Sequence, residues 1–189
     1  MIDLLLRGAS VVDGTGAPAQ VMDVGVKNGR IVSPDKATTT IDAGGLCLMP
    51  GIVDVHTHYD AQVTWDPTLS PSVSLGVTTA VMGNCGFGIA PCPAPLRETM
   101  LRNLSVVEGM DIDALFAGTR WDFETFPGYL DALERLRPWA NVGVLAGHST
   151  IRTAVMGEAA SLNKNPTVDE MEAMKNHVRA AMDAGAAGF

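Results

Sequence analysis

Short apolar runs, separated by glycine and small polar residues, dominate the first 47 positions of the chain. Apolar and polar positions alternate in VMDVGVKNGRIV, on both sides of Asn28-Gly29. A period of two indicates strands with one buried face, and Asn-Gly between two such runs favours a tight hairpin turn. We therefore predict that residues 1–47 form the N-terminal part of a small, β-sandwich-like domain.

The pattern changes at Leu46, where longer apolar runs begin. Three of these runs, LCLMPGIVDV, GVTTAVMG and NVGVLAG, are typical of strands buried on both faces of a parallel sheet. Helical periodicity lies between and after them, in LRETMLRNL, FPGYLDALERLRP and TVDEMEAMKNHVRAAMDAG. Strands that alternate with helices predict an α/β fold for residues 48–189.

The longest helical pattern carries its own start and stop signals. Thr167 and Glu170 have the spacing of a capping box, and Gly185 supplies a C-cap. The predicted apolar stripe of this helix consists of Val168, Met171, Met174, Val178 and Ala181. Residues 84–140 are long for one crossover, so we predict extra helices there, and GAAGF at 185–189 resembles the start of a fourth strand.

Composition narrows the class of protein. The chain has 189 residues, of which 47% are hydrophobic and 18% charged, as expected for a protein with a packed core. The net charge of −8 and the lack of a basic run argue against nucleic-acid and anionic-membrane partners. Three cysteines favour reduced thiols or a metal ligand over a disulfide framework. The N-terminus lacks the features of a signal peptide, and we predict a soluble cytoplasmic protein.

Two histidines, His56 and His58, stand at the end of the first long apolar run. Residues two apart on a strand share a face, so both imidazoles point the same way if the strand extends that far. Imidazole is a common zinc ligand, and carboxyl ends of barrel strands carry active sites. A lone His-x-His pair is more often two incidental polar residues where a strand meets its loop.

Cys85 follows the second apolar run, between Gly83 and Gly86. If the first two strands are neighbours, their ends lie about 4.8 Å apart, which places Cys85 near His58. A thiolate is a strong zinc ligand. Cys85 alone would be read as a small buried residue, but together with the two histidines it indicates a metal site.

The third apolar run ends at AGHST. His148 is then level with the other strand ends and could be a metal ligand, a substrate contact or a residue that hydrogen-bonds beneath the site. We favour the second or third role. Arg152 follows within one helical turn and could bind a substrate carboxylate or pair with an acidic surface residue.

These motifs resemble those of a known family. MPGIVDVHTHYDAQ resembles the first-strand signature of the amidohydrolase superfamily, Pro-Gly-x-x-Asp-x-His-x-His. GVTTAVMGNCGFGIAPC, followed by GHSTIR, resembles the D-aminoacylase branch, the N-acyl-D-amino-acid deacylases. The resemblance covers the whole chain. The Gly-Asn-Cys-Gly-Phe-Gly string is specific to that branch, whereas His-x-His is shared across the superfamily.

The resemblance implies a small β domain built from both chain ends and a distorted (β/α)8 TIM barrel with a metal site. In that branch the cysteine holds a tightly bound zinc ion with two later histidines, and the His-x-His pair contributes to a second, weaker metal position with a late aspartate, the general base. Carried over by motif, His56, His58 and Cys85 are ligands, and the later residues have no counterparts here. The implied reaction is zinc-dependent hydrolysis of the amide bond of small-molecule N-acyl-D-amino acids.

A (β/α)8 barrel takes about 250 residues, whereas residues 48–189 supply about three strands and the start of a fourth. We therefore expect an N-terminal fragment with an incomplete barrel, open sheet edges capable of association, and no turnover by this chain alone. Two alternatives stay open. One is a cyclic-amide hydrolase of the hydantoinase or dihydroorotase type, and the other is a non-catalytic remnant or association module.

Overall fold

A computed structural model describes residues 1–162 and 165–189 of the chain. It divides into two compact units, Met1–Gly51 and Ile52–Phe189. The first is a β unit and the second alternates strands with helices, as the α/β pattern of the sequence predicts.

The first unit is a five-stranded mixed sheet. Its strands are β1 (Ile2–Val11), β2 (Gln20–Lys27), β3 (Arg30–Val32), β4 (Ala37–Asp42) and β5 (Cys47–Leu48). The order is β3-β2-β1-β4, and β5 pairs with the second half of β1. The turn between β2 and β3 is Asn28-Gly29, with positive φ angles of 50° and 70°. Two positive φ angles are what a type I′ hairpin requires, so the predicted hairpin is confirmed.

The boundary between the units lies between Gly51 and Ile52, four residues after the position drawn from the sequence. The largely apolar run from Leu46 to Val55 contributes a strand to each unit. Cys47 and Leu48 pair in parallel with Ser10 and Val11, and the run enters the second sheet only after Gly51.

The second unit contains a parallel sheet whose strand order is β6-β7-β8. The strands are β6 (Ile52–Thr57), β7 (Val77–Met82) and β8 (Asn141–Val144). The helices are α1 (Tyr59–Gln62), α2 (Arg97–Glu108), α3 (Ile112–Gly118), α4 (Phe126–Leu136), α5 (His148–Met156), α6 (Ala159–Leu162) and α7 (Val168–Asp183). Helices α2, α3 and α4 all lie in the connection between β7 and β8, which confirms the extra helices predicted there.

The C-terminal residues continue this strand order. Gly188 forms an isolated parallel bridge with Leu145, just after β8. The N–H of Ala187 donates to the carbonyl of Val144 at 2.8 Å, and the N–H of Ala146 donates to the carbonyl of Gly188 at 2.9 Å. The segment predicted to begin a fourth strand therefore lies where that strand would pair.

The core of the second unit lies between the central strand β7 and the helices. Ala80 and Met82 of β7 are fully buried, as are Leu104 of α2 and Ala181 of α7. Burial of such side chains contributes roughly 1.5–3 kcal/mol for each large apolar residue. The same core fixes the ends of the strands, where the candidate site lies.

Strand β6 differs from the sequence expectation of burial on both faces. Val53 is 56% exposed and Val55 is 61% exposed. β6 is an edge of the three-stranded sheet, and the described elements leave the face that carries Val53 and Val55 largely uncovered. Its apolar composition is that of a doubly covered strand, but the described residues cover it only in part.

The capping box predicted for α7 is confirmed. The hydroxyl of Thr167 accepts from the N–H of Glu170, and the Glu170 carboxylate accepts from the N–H of Thr167. The predicted apolar stripe is correct for Met174 and Ala181, which are buried, but wrong for Val168 and Met171, which are 86% and 42% exposed. None of the described helices is long and apolar enough to span a bilayer.

Candidate metal centre

His56 and His58 come together at the carboxyl end of β6. Their ring centroids are 5.1 Å apart, with the ring planes tilted by 59°. His56 belongs to the strand, whereas His58 lies just beyond it and precedes α1 with φ −120° and ψ 38°. The two imidazoles are thus close together, even though β6 ends at Thr57 and His58 lies outside the strand.

Local hydrogen bonds hold this strand end in place. The Asp54 carboxylate accepts from the backbone N–H of His56 at 3.2 Å. The hydroxyl of Thr57 is part-buried and donates to the carbonyl of Val81 at 2.9 Å, which ties β6 to β7. The histidine pair thus stands on a strand end that is held by one hydrogen bond within β6 and one to β7.

Cys85 follows β7 in a tight loop between Gly83 and Gly86, whose φ angles are 85° and 84°. A Cβ atom at Gly83 would lie 2.4 Å from the carbonyl oxygen of Leu145, so only glycine fits there. The side-chain amide of Asn84 donates to the carbonyl of Val55 at 2.8 Å. The loop therefore holds Cys85 beside the end of β6, since β6 and β7 are parallel neighbours.

His56, His58 and Cys85 form one cluster of candidate metal donors. One donor atom from each residue lies within 4.8 Å of the other two. The Cys85 Sγ is 3.9 Å from Nδ1 of His58. In a tetrahedral site, nitrogen and sulfur ligands of one zinc ion are about 3.6 Å apart. The chemistry and spacing of the three donors therefore fit zinc.

The Cys85 thiol is half-buried, and its environment resists ionisation. Burial raises the pKa of the Cys85 thiol above its ordinary value, and the neighbouring Glu108 carboxylate raises it further, while the N–H of Phe87 lowers it. That N–H donates to Sγ at 3.4 Å. Because the thiolate is the form that binds metal, metal binding at Cys85 would release a proton.

Glu108, which the sequence did not single out, completes the surroundings of this cluster. It is the last residue of α2, and its Oε2 lies 2.8 Å from Nε2 of His58. The Cys85 thiol donates to its Oε1 at 3.4 Å. Glu108 and the two histidines also line an open cavity of about 300 Å³. One signal was visible in the sequence, since an acidic residue at the C-terminal end of a helix opposes the helix dipole.

Asp60 is a second carboxyl group beside the cluster, two residues after His58. It is 2% exposed, and its Oδ2 has no hydrogen-bond partner in the described structure. Burial raises the pKa of Asp60 to about 7, and Glu108 adds to the increase. The backbone carbonyl of Asp60 accepts from the buried Tyr129 hydroxyl at 2.9 Å. The sequence pattern alone does not indicate that Asp60 is buried.

His148 and Arg152 lie apart from the three-donor cluster. His148 opens α5 and is exposed, with its ring centroid 6.1 Å from that of Phe189. Arg152 is half-buried and donates to the carbonyl of Ala160 at 3.3 Å. Both residues, with Phe87, line a cavity of about 340 Å³. The cluster of potential metal donors among the described residues does not include His148.

Known proteins are similar to this chain in sequence. A D-aminoacylase of Alcaligenes xylosoxydans xylosoxydans is 37% identical over 99% of this chain and 37% of its own length. An N-acyl-D-glutamate deacylase of the same organism is 36% identical over 100% of this chain and 36% of its own. The chain thus spans little more than a third of the length of these relatives.

Solved structures agree with these sequence relatives. An N-acyl-D-glutamate deacylase from Bordetella bronchiseptica, complexed with zinc and a phosphonate inhibitor, superposes with a TM-score of 0.81 and 34% identity over 100% of this chain and 38% of its own. A D-aminoacylase described as having a binuclear metal centre gives a TM-score of 0.80 and 36% identity over 98% of this chain and 37% of its own. The expected amidohydrolase fold is therefore confirmed, with the barrel incomplete in this chain.

A family model adds independent support. The model of the amidohydrolase family matches residues 39–189, which include both histidines and Cys85. The match extends over most of the chain, so the sequence, the fold and the relatives agree. This chain belongs to the amidohydrolase family.

Proposed function

We propose that the function served by this chain is zinc-dependent hydrolysis of the amide bond of N-acyl-D-amino acids. The observation that carries the proposal is the meeting of two imidazoles and one thiol at the ends of two adjacent parallel strands. Similarity to a D-aminoacylase and to an N-acyl-D-glutamate deacylase supports the choice of substrate class. Because the chain spans about 37% of the D-aminoacylase, we assign no general base among the described residues.

In this proposal His56, His58 and Cys85 hold zinc. Asp54 fixes the backbone of His56, and the glycines beside Cys85 direct its thiol toward the histidines. When bound, zinc supplies positive charge that polarises an amide carbonyl and acidifies water. The similar D-aminoacylase with a binuclear centre supports a second, weaker metal position at the same strand ends.

His148 and Arg152 are proposed to bind the substrate. A guanidinium group forms strong paired hydrogen bonds with a carboxylate, and an N-acyl amino acid carries one. The cavity lined by His148, Arg152 and Phe87 supports this role, since Phe87 is also hydrogen-bonded to Cys85. The cavity therefore reaches a direct neighbour of the candidate metal donors.

The metal site is tested by titrating the metal-free 189-residue chain with zinc. We expect one tightly held equivalent, because the three donors together supply the ligands of a single ion. Cys85→Ser removes the thiolate and should abolish the tight equivalent, because sulfur is the strongest of the three donors. Cys47→Ser is the matched control, since Cys47 is exposed and belongs to the other unit. Equal zinc binding by the wild type and Cys85→Ser would remove Cys85 from the ligand set.

The activity is tested in a chimera. Residues 1–189 replace the matching third of the Alcaligenes D-aminoacylase, and the product is assayed on N-acetyl-D-amino acids, their L enantiomers and dihydroorotate. Zinc-dependent release of the D-amino acid, lost in Cys85→Ser, would support the proposal. Turnover of dihydroorotate without turnover of N-acetyl-D-amino acids would favour the cyclic-amide alternative instead. The parent D-aminoacylase carrying a serine in place of its matching cysteine is the control for the graft.

We also propose that the chain associates through the edge of β6. The exposed apolar residues of that edge strand support association: Ile52, Val53 and Val55 are 44%, 56% and 61% exposed. Unpaired strand edges are templates for pairing with another chain. Val53→Lys should lower the mass measured by light scattering at high protein concentration, whereas an unchanged monomeric mass in the wild type would argue against association.

A further inference from the structure

Glu108 contacts two of the three candidate metal donors at once. Its Oε2 lies 2.8 Å from Nε2 of His58, and its Oε1 accepts from the Cys85 thiol at 3.4 Å. The first distance is that of a charge-assisted hydrogen bond. No other carboxylate in the described residues forms an ion pair with His58 or a hydrogen bond with Cys85.

The position of this carboxylate is unfavourable unless the contact with His58 compensates for it. The side chain is only 9% exposed, and a buried carboxylate costs free energy unless it is paired. It also ends α2, where the helix dipole disfavours negative charge. A residue that breaks two local rules for one specific contact is expected at a functional site.

The contact determines which nitrogen of His58 is available to a metal. A neutral imidazole has one N–H and one lone pair. If Nε2–H donates to Glu108, the lone pair resides on Nδ1, and Nδ1 is the atom that lies 3.9 Å from the Cys85 Sγ. A histidine that binds a metal commonly donates its other N–H to a carboxylate, which fixes both the tautomer and the ring orientation.

We propose that Glu108 is the positioning residue of this site. It holds His58 as the Nε2–H tautomer with Nδ1 directed toward Cys85, so that Nδ1 of His58 and Sγ of Cys85 would be the atoms available to hold zinc. This inference rests on the proposed zinc site and adds to it a residue from α2. Since α2 lies between β7 and β8, Glu108 would make that long connection contribute to metal binding.

The experiment uses the 189-residue chain labelled with ¹⁵N-histidine, first without metal and at a pH where imidazoles are neutral. We expect a slowly exchanging, downfield Nε2–H signal from His58. Glu108→Ala should remove that signal, and Glu108→Gln, whose amide oxygen still accepts, should retain it. Glu98→Ala is the matched control, because Glu98 is in the same helix but is exposed and pairs with Arg102.

Zinc affinity is then measured by competition with a chromophoric chelator. Glu108→Ala should weaken binding by about 10–100-fold, Glu108→Gln should weaken it less, and Glu98→Ala should leave it unchanged. Far-ultraviolet circular dichroism of each variant checks that it has folded, and Glu108→Gln carries the test if Glu108→Ala does not fold. With zinc bound, the ¹⁵N shifts should place the metal on Nδ1 of His58.

Three results would overturn the proposal. They are an Nδ1–H tautomer in the metal-free wild type, unchanged zinc affinity in folded Glu108→Ala, and zinc on Nε2 of His58, which would make Glu108 a ligand rather than a positioning residue. Failure of the wild type to bind zinc would instead contradict the zinc site of the proposed function. The two failures are therefore distinguishable.

Discussion

At the scale of single residues, Asp60 makes the free energy of unfolding depend on pH. Burial raises the pKa of Asp60 to about 7 from 3.8, and its Oδ2 has no hydrogen-bond partner in the described structure. Between these pH values the folded chain holds a proton that the unfolded chain releases. The contribution of Asp60 to stability is therefore fully present below the unfolded pKa and is lost as pH rises toward 7.

Replacing Asp60 by asparagine should remove the contribution of this group to the pH dependence of stability. At 1.36 kcal/mol for each pKa unit, the wild type loses on the order of 4 kcal/mol from this group between about pH 4 and pH 7. Urea unfolding of the metal-free chain across that range measures the difference. Asp131→Asn, at an exposed position of α4, should keep the pH dependence of the wild type. A slope of equal size in Asp60→Asn would contradict the argument.

Gly83 is the residue on which the loop that carries Cys85 depends. Gly83→Ala should destabilise the chain by about 1–3 kcal/mol or more, from strain at positive φ and from the 2.4 Å approach of a Cβ atom to the Leu145 carbonyl. Gly185→Ala separates these two causes, because Gly185 has φ +102° with nothing within 4 Å. Chemical denaturation should show the larger loss for Gly83→Ala. Similar losses in both variants would mean that the carbonyl contact is unimportant.

The closeness of His56, His58 and Cys85 could be predicted because parallel neighbouring strands end at the same edge of a sheet. Their role as zinc ligands stays a prediction. Glu108 could not be found in the same way, since it lies 23 residues beyond Cys85 and reaches the site only through the packing of α2. The burial of Asp60 likewise depends on helices distant in sequence, which hydrophobic periodicity does not locate.

At the scale of elements, α7 shows how local signals act when they agree. Thr167→Ala removes a hydroxyl that accepts from the N–H of Glu170, and an N-cap loss of this kind costs about 1 kcal/mol. Denaturant unfolding monitored by circular dichroism measures that loss. Thr167→Ser retains the hydroxyl and should stay within a few tenths of a kcal/mol of the wild type. A loss as large in Thr167→Ser would indicate that the cap hydrogen bond is not the cause.

The elements whose signals lie within a few residues were predicted correctly. The hairpin at Asn28-Gly29 and the capping box of α7 are two examples, because turn and cap chemistry is local. The burial of β6 was predicted wrongly, since an apolar run reports what a strand can pack against and not which described element lies there. The position of β5 was missed for a related reason. The apolar run that begins at Leu46 contributes β5 to the first sheet and β6 to the second.

At the scale of the whole molecule, the two units should respond differently to zinc. The candidate donors all belong to Ile52–Phe189, and a ligand that binds only the folded state stabilises it by about 2.7 kcal/mol at 100 times Kd. Hydrogen exchange should therefore slow at the ends of β6 and β7 when zinc is added. The strands of Met1–Gly51 should exchange at unchanged rates. Equal slowing in both units would mean that zinc does not act through this cluster.

Some parts of the architecture could be predicted from the sequence pattern, and others only from the resemblance of the motifs. The alternation of strand and helix predicts an α/β unit after a β unit from physical pattern alone. A barrel does not follow from three strands, and that expectation came from the resemblance of the motifs. The order β6-β7-β8 follows from short parallel connections, since consecutive strands usually lie side by side.

The hydrogen bond from Tyr129 to the backbone of Asp60 has a kinetic consequence. It joins residues 69 positions apart. The contact therefore closes a long loop, which costs conformational entropy. This hydrogen bond can form only once helix α4 has packed against the segment that follows His58. Cys85 and His58 are only 27 positions apart, so a shorter loop closes when the zinc donors meet. We therefore expect zinc uptake during refolding to be no slower than the packing of α4 against the segment after His58, and stopped-flow measurements of both rates would test this.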